Sequence, residues 1–189
     1  MKTLSLIVSI LICTSVYSQS DSSLMFREVV KMDSLSKKEI GLQVREWFHN
    51  TFKNTKNVVD VNDLENGQFL GMGSFSYVEY IKVMGLKTPI YGSVRYKINI
   101  EVKDGKYRFE IGPFMVDDEE KGTNYVSDYV LTTSNVHPST LKSNYGGKKF
   151  KESLNELWNN MKKRAENEAS ILSSSLKASV KSTKTSNDW

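Results

Sequence analysis

Few residues in this chain could do chemistry, and they are scattered. The two histidines, His49 and His137, lie far apart in the sequence, and no His-x-x-x-His pair or Asp/His cluster marks a zinc site. No Gly-x-Ser-x-Gly motif marks a nucleophilic serine. A hydrolase using His49 or His137 needs a cleft in which the imidazole reaches an acid or a hydroxyl. We therefore predict no catalytic residue, no metal and no cofactor, and keep the hydrolase as an alternative.

An acidic run and a single cysteine are the other groups that could bind a ligand or react. Residues 117–120 (DDEE) lack the ligand spacing of a calcium loop, so we predict a solvated acidic loop. Cys13, the only cysteine, follows the large residue Ile12, whereas a bacterial lipoprotein cleavage site has a small residue there. Lipid attachment at Cys13 is therefore disfavoured. A mature chain without cysteine excludes disulfides and thiolate catalysis.

The first eighteen residues are typical of a signal peptide. Lys2 is a short basic region, and the apolar stretch from Leu4 to Val16 is too short to span a bilayer comfortably. Val16 and Ser18 fit the small-residue rule, which predicts cleavage after Ser18. The alternative is a buried N-terminal helix. We predict an exported protein, periplasmic or secreted and soluble after cleavage, without a transmembrane helix.

The clearest structural signal is the stretch NIEVKDGKYRFEI, residues 99–111. Polar and apolar residues alternate on both sides of Asp104-Gly105, which predicts a hairpin with a two-residue loop and positive φ at both loop positions. Glu101 then lies opposite Arg108. One face is apolar: Val94, Tyr96, Ile98, Ile100, Val102, Tyr107, Phe109 and Ile111. The other is polar: Arg95, Lys97, Asn99, Glu101, Lys103, Lys106, Arg108 and Glu110. This alternation is typical of an antiparallel sheet with one buried face.

The rest of the chain supplies further strands and two amphipathic helices. Ser36 and Glu39 form a capping box that begins a helix ending at about Lys53. Other predicted strands cover 24–32, 57–61, 68–80, 92–103 and 106–116. Residues 117–146 are predicted to be irregular with one helical turn after Pro138, 147–172 to be the second helix, and 173–189 to be a disordered polar tail. This order predicts one α+β domain in two layers, an antiparallel sheet packed by two helices.

Three stretches in this order resemble a known family. They are the helix SKKEIGLQVREWFHNTF, the segment VNDLENGQFLGMGSF and the strand pair VRYKINIEVKDGKYRFEI. They are similar to an exported bacterial family of unknown function, DUF4468, whose fold is like that of the TATA-binding protein (TBP). The resemblance covers about Phe26 to Val116. It implies a TBP-like β-α-β4-α order, with residues 24–116 forming the sheet and first helix, and it implies no activity.

Nucleic acid is a poor match to this chain despite the TBP-like fold. The formal net charge is +4, and loss of Lys2 with the leader lowers Lys plus Arg from 26 to 25 against 22 acidic residues, which gives +3. The polar face of the sheet has mixed charges and no aromatic wedges of the kind that minor-groove binders insert. We predict no nucleic-acid partner. The tail lysines Lys177, Lys181 and Lys184 favour a plain solubilising tail, and the alternative is weak contact with an anionic membrane surface.

The best candidate for a binding site is the apolar stretch YVEYIKVMGLKTPIYG, residues 77–92. It reads as a connection between two strands, and its apolar members are Tyr77, Tyr80, Met84, Leu86, Ile90 and Tyr91. It would be either the lid or rim of a ligand pocket, or an extension of the strands over the core. We predict a non-enzymatic cell-envelope module that binds a small apolar or lipid-like ligand, or an envelope protein, through these residues. A self-associating scaffold that pairs through its sheet edge is a further alternative.

Overall fold

A computed structural model describes residues 22–52, 59–117, 129–141 and 146–181. In chain order the elements are β1 (Phe26–Lys31), α1 (Lys37–Thr51), β2 (Val59–Asp63), β3 (Gln68–Val83), β4 (Leu86–Lys103), β5 (Lys106–Asp117), a 3₁₀-helix (Pro138–Leu141) and α2 (Lys148–Ser179). The described strands form one antiparallel sheet in the order β1-β5-β4-β3-β2. Both helices pack on one face of this sheet, which confirms the predicted two-layer α+β fold.

The β4–β5 hairpin has the predicted register. Val102 pairs with Tyr107, and Glu101 pairs with Arg108, whose side chains form an ion pair of 2.7 Å. The predicted apolar residues on the inner face are all buried in the core. The turn itself differs from the prediction, because only Gly105 has a positive φ (+71°) and Asp104 does not. The hydrophobic alternation therefore predicts the register correctly, although the turn is not of the expected type.

Helix α1 begins with the predicted capping box. The Ser36 backbone N–H donates to Glu39 Oε2 at 2.8 Å, and the Glu39 N–H donates to Ser36 Oγ at 3.3 Å. The next free amide, Lys37 N–H, donates to Asp104 Oδ1 at 2.7 Å. A carboxylate from the β4–β5 turn thus satisfies one of the donors that every helix N-terminus leaves open. Trp47 is among the residues that bury α1 against the sheet.

The predicted loop over residues 81–92 is wrong, and the alternative of a strand extension is correct, because this stretch is a regular hairpin. Strands β3 and β4 pair continuously from Gln68–Glu101 to Val83–Leu86, and a tight turn at Met84-Gly85 joins them. The last pair between β4 and β5 among the described residues is Ser93–Asp117, so residues 86–92 of β4 extend past the described end of β5. At about 3.3 Å per residue this projection is roughly 23 Å long. We call residues 77–92 the distal hairpin.

Helix α2 is longer than predicted and includes the first part of the supposed tail. It continues to Ser179 because Leu172, Leu176 and Val180, spaced by four residues, are all buried. Lys177 forms an ion pair with Glu28 at 3.0 Å. The tail prediction for residues 182–189, including Lys184, lies outside the described residues.

The described part of the predicted irregular connection packs between β5 and α2. Leu131 N–H donates to Phe114 O at 2.8 Å, and the predicted helical turn after Pro138 is present. The Lys162 ammonium of α2 donates to Ser134 O at 2.8 Å and also to Thr133 O and Asn135 Oδ1. The leader with its cleavage site at Ser18, Cys13 and most of the acidic loop lie outside the described residues.

Candidate functional site

The distal hairpin separates the predicted site residues between its two faces. Side chains alternate between faces along a strand. Tyr77 and Ile90 point to the inner face, where each is 2% exposed, and they belong to the core. Tyr80 and Tyr91 point to the outer face, and Met84 and Leu86 lie at or beside the turn. The structure therefore does not bring all six residues to one surface.

The outer face of the distal hairpin is apolar and open to solvent. Val78 lies directly opposite Tyr91, and Tyr80 lies directly opposite Pro89. Val78 and Tyr91 are each 45% exposed, and Tyr80 is 60% exposed. These four side chains form two adjacent cross-strand rows, which makes a continuous apolar surface rather than isolated exposed residues.

The tip of the hairpin exposes two further apolar side chains. Met84 is 99% exposed and Leu86 is 73% exposed. Both turn residues have positive φ, +50° at Met84 and +85° at Gly85. Turns with positive φ at both central positions favour Asn, Asp and Gly, since other side chains are strained there. Methionine at position 84 is therefore favoured neither by the backbone conformation nor by contact with the rest of the described chain.

Lysines surround the tip. Lys82 and Lys87 lie directly opposite each other one pair below the Val83–Leu86 pair. Like charges in this arrangement repel. Lys148 and Lys149, at the start of α2, line an open groove of about 810 Å³ that also includes Met84. Within the described residues Lys82, Lys87 and Lys149 have no ion pair, and Lys148 approaches Glu152 only at 4.0 Å with both side chains exposed.

These lysines are not among the site residues predicted from the sequence, although a pattern in the sequence indicates where they lie. The segment KVMGLK is nearly symmetric about Met84-Gly85. Val83 and Leu86 flank this dipeptide, and Lys82 and Lys87 flank Val83 and Leu86 in turn. A two-residue turn at Met84-Gly85 pairs Val83 with Leu86 and Lys82 with Lys87 on the two strands of a hairpin. The absence of Asn or Asp at the turn, together with the high apolar content, favoured a loop instead.

Helix α2 holds the distal hairpin in place. The Lys82 backbone N–H donates to Ser153 Oγ at 2.8 Å. The Glu79 carboxylate pairs with Arg164 at 3.0 Å and accepts from Asn160 at 3.2 Å. These contacts fix the inner face on the helix and leave the outer face and the tip uncovered by other described residues.

A glycine at the base of the distal hairpin allows this packing. A Cβ on Gly92 would lie 2.6 Å from both the Tyr77 hydroxyl oxygen and Asp117 O. Gly73, lower in β3, makes similar room for the ring of Tyr96, whose hydroxyl donates to Glu168 Oε1 at 2.8 Å.

His137 is not the surface histidine that the hydrolase alternative needs. Its side chain is fully buried and lies edge-on to Tyr129 and Trp158, with ring centroids 5.1 Å away in each case. Its Nδ1 accepts from the Ser139 backbone N–H at 3.1 Å, and its Nε2 has no partner in the described structure. Burial lowers the pKa of His137 to about 4. The imidazole is therefore neutral near pH 7 and closed to a substrate.

His49 faces solvent on α1, as predicted. It lines an open groove with Glu46, which precedes it by three residues, a spacing that can place two metal ligands on one side of a helix. Among the described residues no group of three or more His, Cys, Asp or Glu side chains could hold a metal ion.

The described helices include none that is long and apolar enough to cross a membrane.

The outer face of the central sheet has the predicted mixture of charges. Three of its carboxylates form ion pairs with arginines: Arg27 with Glu110, Arg95 with Asp117, and Arg108 with Glu101. The remaining basic residues are interleaved with these pairs. Among its described residues this face presents neither a row of aromatic wedges nor a uniform basic field of the type that DNA-binding sheets use.

Comparisons with known proteins agree with this architecture. No curated protein matches the sequence. The fold is similar to the crystal structure of a DUF4468 family protein from Bacteroides ovatus ATCC 8483, with 16% sequence identity, a TM-score of 0.52, and coverage of 84% of this chain and 88% of that chain. A TBP-like protein from Parabacteroides distasonis ATCC 8503 has 12% identity, a TM-score of 0.49, and coverage of 82% and 92%.

A family model supplies the assignment. The model described as a domain of unknown function (DUF4468) with TBP-like fold matches residues 26–116, which comprise β1, α1 and almost all of β2–β5. The distal hairpin lies inside the matched segment, and α2 follows it. Residues 26–116 of this chain form a DUF4468 domain with a TBP-like fold.

Proposed function

We propose that this protein is an exported, non-enzymatic binding module that contacts its partner through the distal hairpin. One observation carries the proposal. Of the twelve exposed large hydrophobic side chains among the described residues, five lie within these sixteen positions: Val78, Tyr80, Met84, Leu86 and Tyr91. The other seven are spread over the rest of the described chain. A concentration of this kind on a projecting element is typical of interaction surfaces.

The geometry supports a surface partner better than a small ligand enclosed under the hairpin. The inner face is filled by Tyr77, Ile81 and Ile90, each no more than 2% exposed. The contacts of Lys82 and Glu79 with α2 hold this face against the helix. The groove between the tip and the start of α2 is open to solvent, so it suits a surface contact rather than an enclosed cargo.

The histidines give little support to the hydrolase alternative. His137 is enclosed by Tyr129 and Trp158, and its Nδ1 already accepts a backbone hydrogen bond. General acid–base chemistry requires a side chain that reaches the substrate, and this imidazole does not. His49 is exposed, and Glu46 is the one acidic side chain among the described residues that line its groove.

Export is part of the proposal and rests on the leader. The basic Lys2, the apolar stretch from Leu4 to Val16 and the small residue Ser18 predict a mature chain that begins at Gln19. Expression with the leader in a Gram-negative host, followed by cell fractionation and sequencing of the mature N-terminus, tests this directly. A full-length chain in the cytoplasm would contradict export.

Photo-crosslinking in cells tests the binding surface. Replacement of Tyr91 by p-benzoylphenylalanine should give a covalent adduct of constant mass upon irradiation. The matched control carries the same probe at Ile171, which is 55% exposed on α2. Val78→Lys, opposite Tyr91, should abolish the adduct. Failure to obtain an adduct at position 91, or equal adducts at both positions, would contradict a binding role for this face.

Native mass spectrometry separates the remaining alternatives. A mature chain that carries a reproducible added small-molecule mass, released by Met84→Ala with Tyr91→Ala, would indicate a bound small ligand. A dimer mass would favour the scaffold that pairs through its sheet edge. A bare monomer mass is the result expected for a module whose partner is a larger surface.

A further inference from the structure

We propose that the tip of the distal hairpin inserts into a phospholipid bilayer that contains anionic lipids. This inference rests on the proposed function, because it names the partner of one part of the same hairpin. The tip combines exposed apolar side chains, Met84 and Leu86, with lysines on both sides. Apolar residues that enter the acyl boundary and lysines that face anionic headgroups are the two requirements for stable contact with such a surface.

Met84 supplies the first argument. A methionine that is 99% exposed contributes nothing to the core, and a φ of +50° is strained for a side chain of this size. Asn or Gly would relieve the strain at no loss of packing. In the free protein, Met84 strains the backbone and exposes an apolar side chain to water. Methionine becomes favourable at this position if its side chain leaves water upon binding.

The charges around the tip supply the second argument. Lys82 and Lys87 face each other across the hairpin, and Lys148 and Lys149 flank its inner side. The mutual repulsion of Lys82 and Lys87 is unfavourable in the free protein and is relieved by anions placed between and above them. The nearest carboxylates of the groove, Glu152 and Glu156, belong to the helix rather than to the hairpin.

The spacing along the strands matches the depth of a bilayer interface. Lys82 is two residues from Met84, and Lys87 is two residues from Gly85, which corresponds to about 7 Å of extended chain. Interfacial segments bury their apolar groups by about 5–10 Å. With Met84 at that depth, the lysines reach the level of the phosphates, and Leu86, one residue from Lys87, is buried by about 3 Å less than Met84. Tyr80, two residues further from the tip, then lies at the outer edge of the headgroups.

The other lysine-rich end of the molecule is less suited to this contact. Lys177 pairs with Glu28, and the Lys181 backbone N–H donates to Gln43 Oε1. Helix α2 has 32 residues and so separates this end from the tip by about 48 Å. Within the described residues, an exposed apolar group beside unpaired lysines occurs at the tip and not at the end of α2.

Vesicle co-sedimentation tests the inference with the mature chain, residues 19–189. We expect binding to vesicles of phosphatidylcholine mixed with phosphatidylglycerol and little binding to phosphatidylcholine alone. Met84→Asn with Leu86→Asn should reduce binding at least tenfold, since two apolar groups no longer enter the bilayer. Lys87→Gln should reduce it about fivefold, the usual contribution of one lysine near an anionic surface.

Matched controls separate the outcomes. Ile171→Asn removes an exposed apolar residue elsewhere and should bind as the unmodified protein does. Soluble glycerophosphoglycerol should not compete, because it offers the headgroup without the bilayer. The inference is overturned if anionic vesicles do not bind the protein, if Ile171→Asn loses as much binding as the tip variant, or if the soluble headgroup competes. In each of these cases a Tyr91 crosslink to a protein would leave the proposed function standing.

Discussion

Two of the turns of the sheet that end in glycine, Asp104-Gly105 and Met84-Gly85, have opposite surroundings. Asp104 accepts from the first amide of α1, and the Gly105 N–H donates to Leu35 O at 2.9 Å, so the first turn is tied to the body of the protein. A Cβ on Gly85 would meet nothing within 4 Å, and Met84 is almost fully exposed. The fold explains the residue types of the first turn. It does not explain those of the second, which is why the second is the better place to look for function.

The same contrast extends along the two hairpins. The inner face of β4–β5 is the centre of the core, with Ile100 and Phe109 paired and buried. The outer face of the distal hairpin carries large side chains that the fold leaves in water. Stability should therefore depend strongly on the first region and weakly on the second, and four measurements test this difference.

The largest expected effect is on the core hairpin. Phe109→Ala should lower the free energy of unfolding by about 3–5 kcal/mol, because it removes a buried aromatic ring and leaves a cavity. Tyr80→Ala on the distal hairpin should change it by no more than about 0.5 kcal/mol. Urea denaturation followed by tryptophan fluorescence measures both. Similar losses in the two variants would remove the distinction between the regions.

The next effect concerns His137, which lies in the segment beneath α2, the helix that holds the distal hairpin. Its pKa is about 4 in the folded protein and 6.5 in the reference state. The unfolded chain takes the proton first, so stability should fall as the pH drops from about 6.5 to 4, by about 2–3 kcal/mol in total. Denaturation at a series of pH values measures this loss. His137→Gln should lack this component, and parallel pH profiles for both proteins would contradict the assignment.

A smaller effect is expected at the anchored turn. Asp104→Ala removes the acceptor for the Lys37 N–H and should cost about 1 kcal/mol. Asp104→Asn keeps an acceptor oxygen and should cost less. Thermal denaturation by circular dichroism would rank the two variants. An Asp104→Ala protein as stable as the parent would show that this turn is no better anchored than the other.

The smallest effect has the opposite sign. Met84→Asn should raise the free energy of unfolding by up to about 1 kcal/mol, since Asn tolerates a φ of +50° better than Met does. Leu86→Asn, at a position without positive φ, should give no such gain. Chemical denaturation of both variants provides the measurement. A loss of stability in Met84→Asn would indicate a structural role for the methionine that its exposure does not show.

Local signals in the sequence were sufficient for most of the fold. The alternation around residues 99–111 gave the register of β4–β5 and the members of its buried face, and the Ser36–Glu39 capping box gave the start of α1. These predictions succeeded because each depends on neighbours a few residues apart. The Asp104 conformation was not predictable in this way, because contacts with α1 and with the segment before it act on the turn.

Two errors came from segments whose patterns are ambiguous by themselves. Residues 81–92 have turn residues and apolar residues mixed, and their strand character depends on pairing with β3. The end of α2 is rich in serine and lysine, and it remains helical because Leu172 and Leu176 find a core to enter. In both cases a tertiary contact outweighs a weak local preference.

Local patterns are therefore enough to predict the fold class, the order of the elements and the stretch that holds the candidate site. Tertiary packing selects which side chains of that stretch are available: it places Tyr77 and Ile90 in the core, Tyr80 and Tyr91 on the open face, and Met84 at the tip. It also brings Lys148 and Lys149 into one groove with Lys82 and Met84. Alternation predicts which residues share a face, but only the packing of α2 determines which face is covered.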